Sequence, residues 1–145
     1  EELSNLEVAY SPPFASALDI VNAVANTAEN ILDGTNRSID MAEFEECFLE
    51  SSADEPICLD VRARINAAPY VARFGDRWLN IPQETLKQHL QDLPMDKRLI
   101  VVCNSGARSY EALRQLDKAG IGQTVNLQGG VAGLKKAGLL DLNEE

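Results

Sequence analysis

Positive charge is scarce in this chain of 145 residues: 13 Lys and Arg stand against 23 Asp and Glu, a net charge of −10. No run of Lys and Arg exists to follow a phosphate backbone, which argues against nucleic-acid binding. Histidine is confined to His89, and the three cysteines, Cys47, Cys58 and Cys103, form no Cys-x-x-Cys pair. Neither a zinc site nor a disulfide framework is expected, and free thiols fit a reducing cytosol. No stretch of about 18 apolar residues is present to span a bilayer. The first residues lack the basic, Leu-rich character of a signal peptide. A Gly-x-Gly-x-x-Gly turn is also missing, so the chain by itself is expected to bind no dinucleotide. It opens without Met, at Glu1-Glu2-Leu3, which suggests processing or a piece of something longer.

What the chain does have is enough apolar sequence, 45%, to build a core. Its charge is uneven. Residues 1–36 hold six acids (Glu1, Glu2, Glu7, Asp19, Glu29, Asp33) and no base. The shift near Thr35-Asn36 predicts a boundary, with one unit over 1–35 and a second over 36–145.

Pro12-Pro13 forbids a helix at the start. The spacing of Leu18, Val21, Val24, Ala25, Ala28, Ile31 and Leu32 predicts one over 18–32, stopped by Gly34. Asp40 and Glu43 read as a capping box for a helix whose apolar stripe is Met41, Phe44, Cys47 and Phe48. From residue 57 onward strands and helices alternate. Strands are expected over 57–61, 78–81, 99–103 and 124–127. Helices are expected over 82–93, with Leu86 and Leu90 one turn apart, over 109–119, and over 131–137 after Gly129-Gly130. Residues 62–77 carry little pattern and read as loop. Such alternation predicts an α/β sandwich around a mostly parallel sheet, with ligands at the carboxyl ends of the strands. Cys47 on an apolar helical face and Cys58 inside a strand read as core. His89 reads as a surface residue.

Cys103 ends the strongest strand, followed by Asn104, Ser105, Gly106, Ala107 and Arg108, and then a helix. A tight strand-to-helix loop turns backbone N–H groups inward, and the helix adds its positive end. Both favour a thiolate. Gly106 permits unusual backbone angles, Arg108 supplies a permanent charge, and the Ser105 and Ser109 hydroxyls can donate. A loop with four residues between Cys and Arg is one shorter than the phosphate cradle of cysteine phosphatases. The smaller ring suits a persulfide.

Four segments carry a resemblance: Leu59-Asp60-Val61-Arg62, Asn80-Ile81-Pro82, the loop from Cys103 to Ser109, and Asn126-Leu127-Gln128-Gly129-Gly130-Val131. Residues 38–140 are similar to a single rhodanese domain. The resemblance implies a persulfide on Cys103, with Arg108 also in the catalytic set. It implies a sulfur cradle of Asn104, Ser105, Gly106, Ala107 and Ser109, and an Asp60–Arg62 ion pair that braces the loop. It implies ping-pong transfer between small donors, such as thiosulfate, polysulfide or persulfides, and thiol acceptors. The sequence departs from the family where many members carry His-Ile-Pro-Gly-Ala; Phe74-Gly75-Asp76-Arg77-Trp78-Leu79 stands there instead.

The opening segment differs. Tyr10-Ser11-Pro12-Pro13-Phe14, Asp19, Asn22 and Ala28-Glu29-Asn30-Ile31-Leu32-Asp33-Gly34 resemble the carboxyl end of flavin-dependent pyridine nucleotide–disulfide oxidoreductases. The nearest group is the coenzyme A-disulfide and persulfide reductases, some of which carry a rhodanese domain. That resemblance implies a homodimeric parent using FAD and NAD(P)H, with coenzyme A as a further ligand. Tyr10 would then be a remnant of the reductase site. Two other readings stay open: a sulfur-carrier or docking module, and a cysteine phosphatase or arsenate reductase.

Overall fold

The computed structural model describes residues 20–52 and 55–140. They fall into two compact units that divide between Asn36 and Arg37. In the first, helix α1 covers Ile20–Leu32. Its exposed side chains include Val24 and Leu32. Tyr10, Pro12-Pro13, Phe14 and Leu18 lie outside the described residues.

The second unit is an α/β fold around one five-stranded sheet. The strands are β1 (Ser38–Ile39), β2 (Ile57–Asp60), β3 (Trp78–Asn80), β4 (Leu99–Val102) and β5 (Thr124–Leu127). Their order is β1-β5-β4-β2-β3, and every pairing is parallel. All four residues of β2 and of β4 are buried. That is why these strands read as continuous apolar runs rather than alternating ones, since a parallel sheet is covered on both faces.

Helices cover both faces. One core joins Phe44, Phe48, Tyr70, Val131 and Leu134 to Cys58, Ile100 and Val102 of the sheet. Its helices are α2 (Met41–Phe44), which widens into a π-helical turn over Glu45–Leu49, α3 (Arg64–Phe74) and α5 (Gly130–Lys136). The opposite core joins Leu86, Leu93, Ala112 and Leu116 to Leu59, Leu99, Val101 and Cys103. It lies under α4 (Ala107–Lys118) and two 3-10 turns, Gln83–Gln88 and Leu90–Asp92.

Three local expectations change. Residues 62–77 are not a loop: α3 runs through them despite Pro69, which costs the helix one backbone hydrogen bond. Tertiary packing holds it, because Tyr70 is 1% exposed and stacks on Trp78 with ring centroids 5.0 Å apart. Residues 82–93 form 3-10 turns rather than an α-helix. Their N–H groups bond three residues back, Thr85 to Pro82, His89 to Leu86 and Asp92 to His89. The capping box is half made. Asp40 Oδ1 accepts from the Glu43 N–H at 2.9 Å, but the Glu43 carboxylate pairs with Arg98 instead.

Candidate active site

The central strand β4 delivers Cys103 to the carboxyl edge of the sheet, and α4 begins four residues later at Ala107. Gly106 closes the intervening loop with φ of +102°, an angle that side chains resist. This conformation aims the Gly106 N–H at Cys103 Sγ, 3.1 Å away. The Ser109 hydroxyl lies 3.4 Å from the same sulfur. Cys103 is 1% exposed. Burial raises its pKa. The Ser109 hydroxyl and the backbone N–H groups of Ser109, Ser105 and Gly106 lower it by more, leaving the thiol below its ordinary value. The amino end of the α4 dipole acts in the same direction.

The outer side of the loop is held by α5. Val131 N–H donates to Cys103 O and Ala132 N–H to Asn104 O, each at 2.9 Å. These two bonds tie the loop's backbone to α5 beside the point where the Gly106 N–H meets the sulfur. Gly130, at φ +56°, makes the approach possible: a Cβ there would lie 2.6 Å from Cys103 O.

From below, Asn126 on β5 reaches into the same loop. Its Nδ2 donates to Gly106 O at 3.2 Å, and its Oδ1 accepts from the Ser109 hydroxyl at 2.6 Å. Sequence reasoning placed Asn126 in a matched segment but gave it no role. The available signal was a polar residue inside a strand destined for burial.

The remaining candidates separate. Asn104, Ser105, Ala107 and Arg108 are exposed around the sulfur-bearing loop. Asp60 and Arg62 are buried and pair with each other, Arg62 Nη2 to Asp60 Oδ2 at 2.6 Å and Nε to Oδ1 at 2.9 Å. Their further hydrogen bonds run to Trp78 Nε1 and Asn80 Nδ2, so the pair ties β2 to β3. Cys58 is fully buried and Cys47 half-buried against the core, and burial pushes both thiols up. His89 lies between two 3-10 turns and faces Asp92 at 2.8 Å. It lines a cavity of about 230 Å³ with Arg64, Asn80 and Thr85, to which residues 103–109 contribute nothing. Tyr10 lies outside the described residues.

Among the described residues, no group of three or more His, Cys, Asp or Glu side chains could hold a metal ion. Among them, too, no helix is long and apolar enough to cross a membrane. Chemically, the arrangement is a buried sulfur facing a ring of N–H donors. It stabilises a negative charge on Sγ and on an atom bonded to it.

Comparison with known proteins follows the same lines. The model of the family described as "Rhodanese-like domain" matches residues 25–137. A sulfurtransferase of Allochromatium vinosum is 34% identical over 61 residues, 42% of this chain and 57% of that protein. The structure of a NAD-dependent persulfide reductase from A. fulgidus superposes with a TM-score of 0.71 at 35% identity, covering 90% of this chain and 22% of that one. The reduced Bacillus anthracis CoADR-RHD superposes with a TM-score of 0.74 at 31% identity, covering 89% and 22%. This chain thus spans about a fifth of each of those two structures.

Proposed function

Because the chain belongs to the rhodanese-like domain family, we propose that it transfers sulfane sulfur through a persulfide on Cys103. One observation carries the reading. The Cys103 sulfur ends the central parallel strand and faces the backbone N–H of Gly106 at 3.1 Å, with the Ser109 hydroxyl beside it. Donors so placed favour negative charge on the sulfur.

In the first half-reaction the Cys103 thiolate attacks the outer sulfur of thiosulfate. The new S–S bond leaves Cys–S–S⁻ on the protein, and sulfite departs with the electron pair of the broken bond. In the second, an acceptor thiolate or cyanide takes the outer sulfur and Cys103 returns to thiolate. A thiolate already formed requires no general base. Arg108, exposed in the first turn of α4, meets the incoming anion. The ring of donors and the exposed Asn104, Ser105 and Ala107 form the cradle.

The finer reading is that this unit serves a flavin-dependent persulfide or coenzyme A-disulfide reductase. Its support is the likeness to the two reductase structures and the opening segment. On this reading residues 1–35 end the reductase's dimerisation domain, Tyr10 belongs to its thiol site, and the parent is a homodimer using FAD and NAD(P)H. Residues 1–145 hold no Gly-x-Gly-x-x-Gly turn, so the parent's other domains would bind those cofactors. In a second version Cys103 only carries sulfur, and turnover belongs to the reductase.

Intact-mass measurement after thiosulfate treatment tests the proposal. One sulfur atom is expected on the wild-type chain and none on Cys103→Ala. No adduct with any sulfane donor would sink the proposal. Rapid thiocyanate release on adding cyanide favours the enzyme over the carrier.

A further inference from the structure

Asn126 is 4% exposed on β5, at the register position opposite Val101 of β4. Its Nδ2 faces Gly106 O, and its Oδ1 lies 2.6 Å from Ser109 Oγ. A carbonyl only accepts, so the amide nitrogen must face Gly106 and the amide oxygen must face Ser109. The Ser109 hydroxyl is then the donor. Yet it has one hydrogen and three acceptors in reach: Asn126 Oδ1 at 2.6 Å, Gly106 O at 3.0 Å and Cys103 Sγ at 3.4 Å. A neutral sulfur is a weak acceptor, and Gly106 O is farther away and already accepts from Asn126 Nδ2 and the Tyr110 N–H, so the hydrogen belongs on Asn126 Oδ1. A thiolate reverses that preference, because charge-assisted bonds are about twice as strong as neutral ones.

We infer that the Ser109 hydroxyl is a two-position rotor, held on Asn126 while the Cys103 sulfur is neutral and turned to Sγ when it is a thiolate. Asn126 is the positioning residue that sets the balance. The rotor's place in turnover rests on the sulfur-transfer reading. In the persulfide the charge lies on the outer sulfur and Sγ is a neutral bridge. An acceptor thiolate, RS⁻, attacks the outer sulfur, the S–S electron pair passes to Sγ, and RS–S⁻ leaves. The hydroxyl turns at that step. A donor fixed on sulfur would be orphaned whenever Sγ was neutral, and buried polar groups left unpaired are costly. The rotor keeps its hydrogen bonded in both states.

The test is the pH dependence of Cys103 alkylation by iodoacetamide, followed by mass spectrometry. Asn126→Ala removes the competing acceptor and is expected to lower the midpoint by about half a pH unit or more. Asn126→Asp offers a stronger acceptor and is expected to raise it. In a Ser109→Ala background both shifts should largely vanish. A midpoint unmoved or raised in Asn126→Ala overturns the rotor. So does an Asn126→Asp shift undiminished by Ser109→Ala, which would mark a through-space charge effect. Circular dichroism identifies a variant that does not fold, and the sign of the other with its Ser109→Ala control then decides. Alkylation needs no sulfur donor. A rotor that passes while thiosulfate leaves no adduct would therefore sink the sulfur-transfer reading alone.

Discussion

Gly130 packs so closely on Cys103 that a methyl group on its α-carbon would come within 2.6 Å of the Cys103 carbonyl oxygen and 2.7 Å of the Asn104 carbonyl. Both contacts are backbone, and neither can swing aside. Gly130→Ala adds a clash to a positive φ. The expected cost is about 2–4 kcal/mol in urea unfolding, with loss of sulfur loading in the fraction that folds. At neighbouring Gly129 the nearest atom is the flexible end of Met41, 3.1 Å away. Gly129→Ala keeps its φ strain but is expected to retain loading.

The three thiols separate by pH. The hydrogen bonds at Cys103 outweigh its burial and place its ionisation below the ordinary thiol range, whereas burial raises Cys58 and Cys47. A lowered pKa means that the thiolate persists as pH falls, until the pH passes below the folded-state value. Iodoacetamide near neutral pH is expected to label Cys103 ahead of Cys47 and Cys58 in peptide mapping. Preferential labelling of Cys47 would contradict the anion-binding account of the loop.

Removing the Asp60 carboxylate leaves Arg62 charged, 5% exposed and without its bidentate partner. It also strips Trp78 Nε1 of an acceptor at 3.1 Å. Asp60→Ala is expected to destabilise the domain by about 3–5 kcal/mol in denaturant unfolding. The double replacement Asp60→Asn with Arg62→Gln should recover part of that loss, since it leaves no unpaired charge.

Arg108 is exposed, so its substitution should leave unfolding nearly unchanged. Arg108→Ala is expected to raise the thiosulfate KM roughly fivefold, the equivalent of about 1 kcal/mol for an exposed charge pair. Arg108→Lys should restore most of it if charge alone matters. Initial-rate kinetics with cyanide as acceptor would measure both.

The fold was legible wherever burial wrote itself into consecutive residues. Strand β4, Leu99–Val102, is wholly buried and unmistakable in sequence, and Cys103 follows it directly. Helix α3 was not legible because only Ala67 and Tyr70 of its residues are buried and Pro69 interrupts it. What holds it is the ring of Trp78, whose position no local pattern reveals. The 82–93 segment misled through Leu86 and Leu90, whose spacing suits an α-helix equally well. Asn126 stayed hidden because a polar residue in a strand looks solvent-facing until the sheet order sets β5 beside β4. The Asp60–Arg62 ion pair that the resemblance implies is present, and the hydrogen bonds it receives from Trp78 and Asn80, which no local pattern reveals, tie β2 to β3.

Beside the Ser109 hydroxyl, the donors that tune the Cys103 sulfur are main-chain atoms, the N–H groups of Ser109, Ser105 and Gly106. Main-chain atoms survive side-chain replacement. Asn104, Ser105 and Ala107 expose their side chains around a reactive centre that does not depend on them. Replacing the side chains at 104, 105 and 107 is therefore expected to leave the lowered pKa of the Cys103 thiol in place.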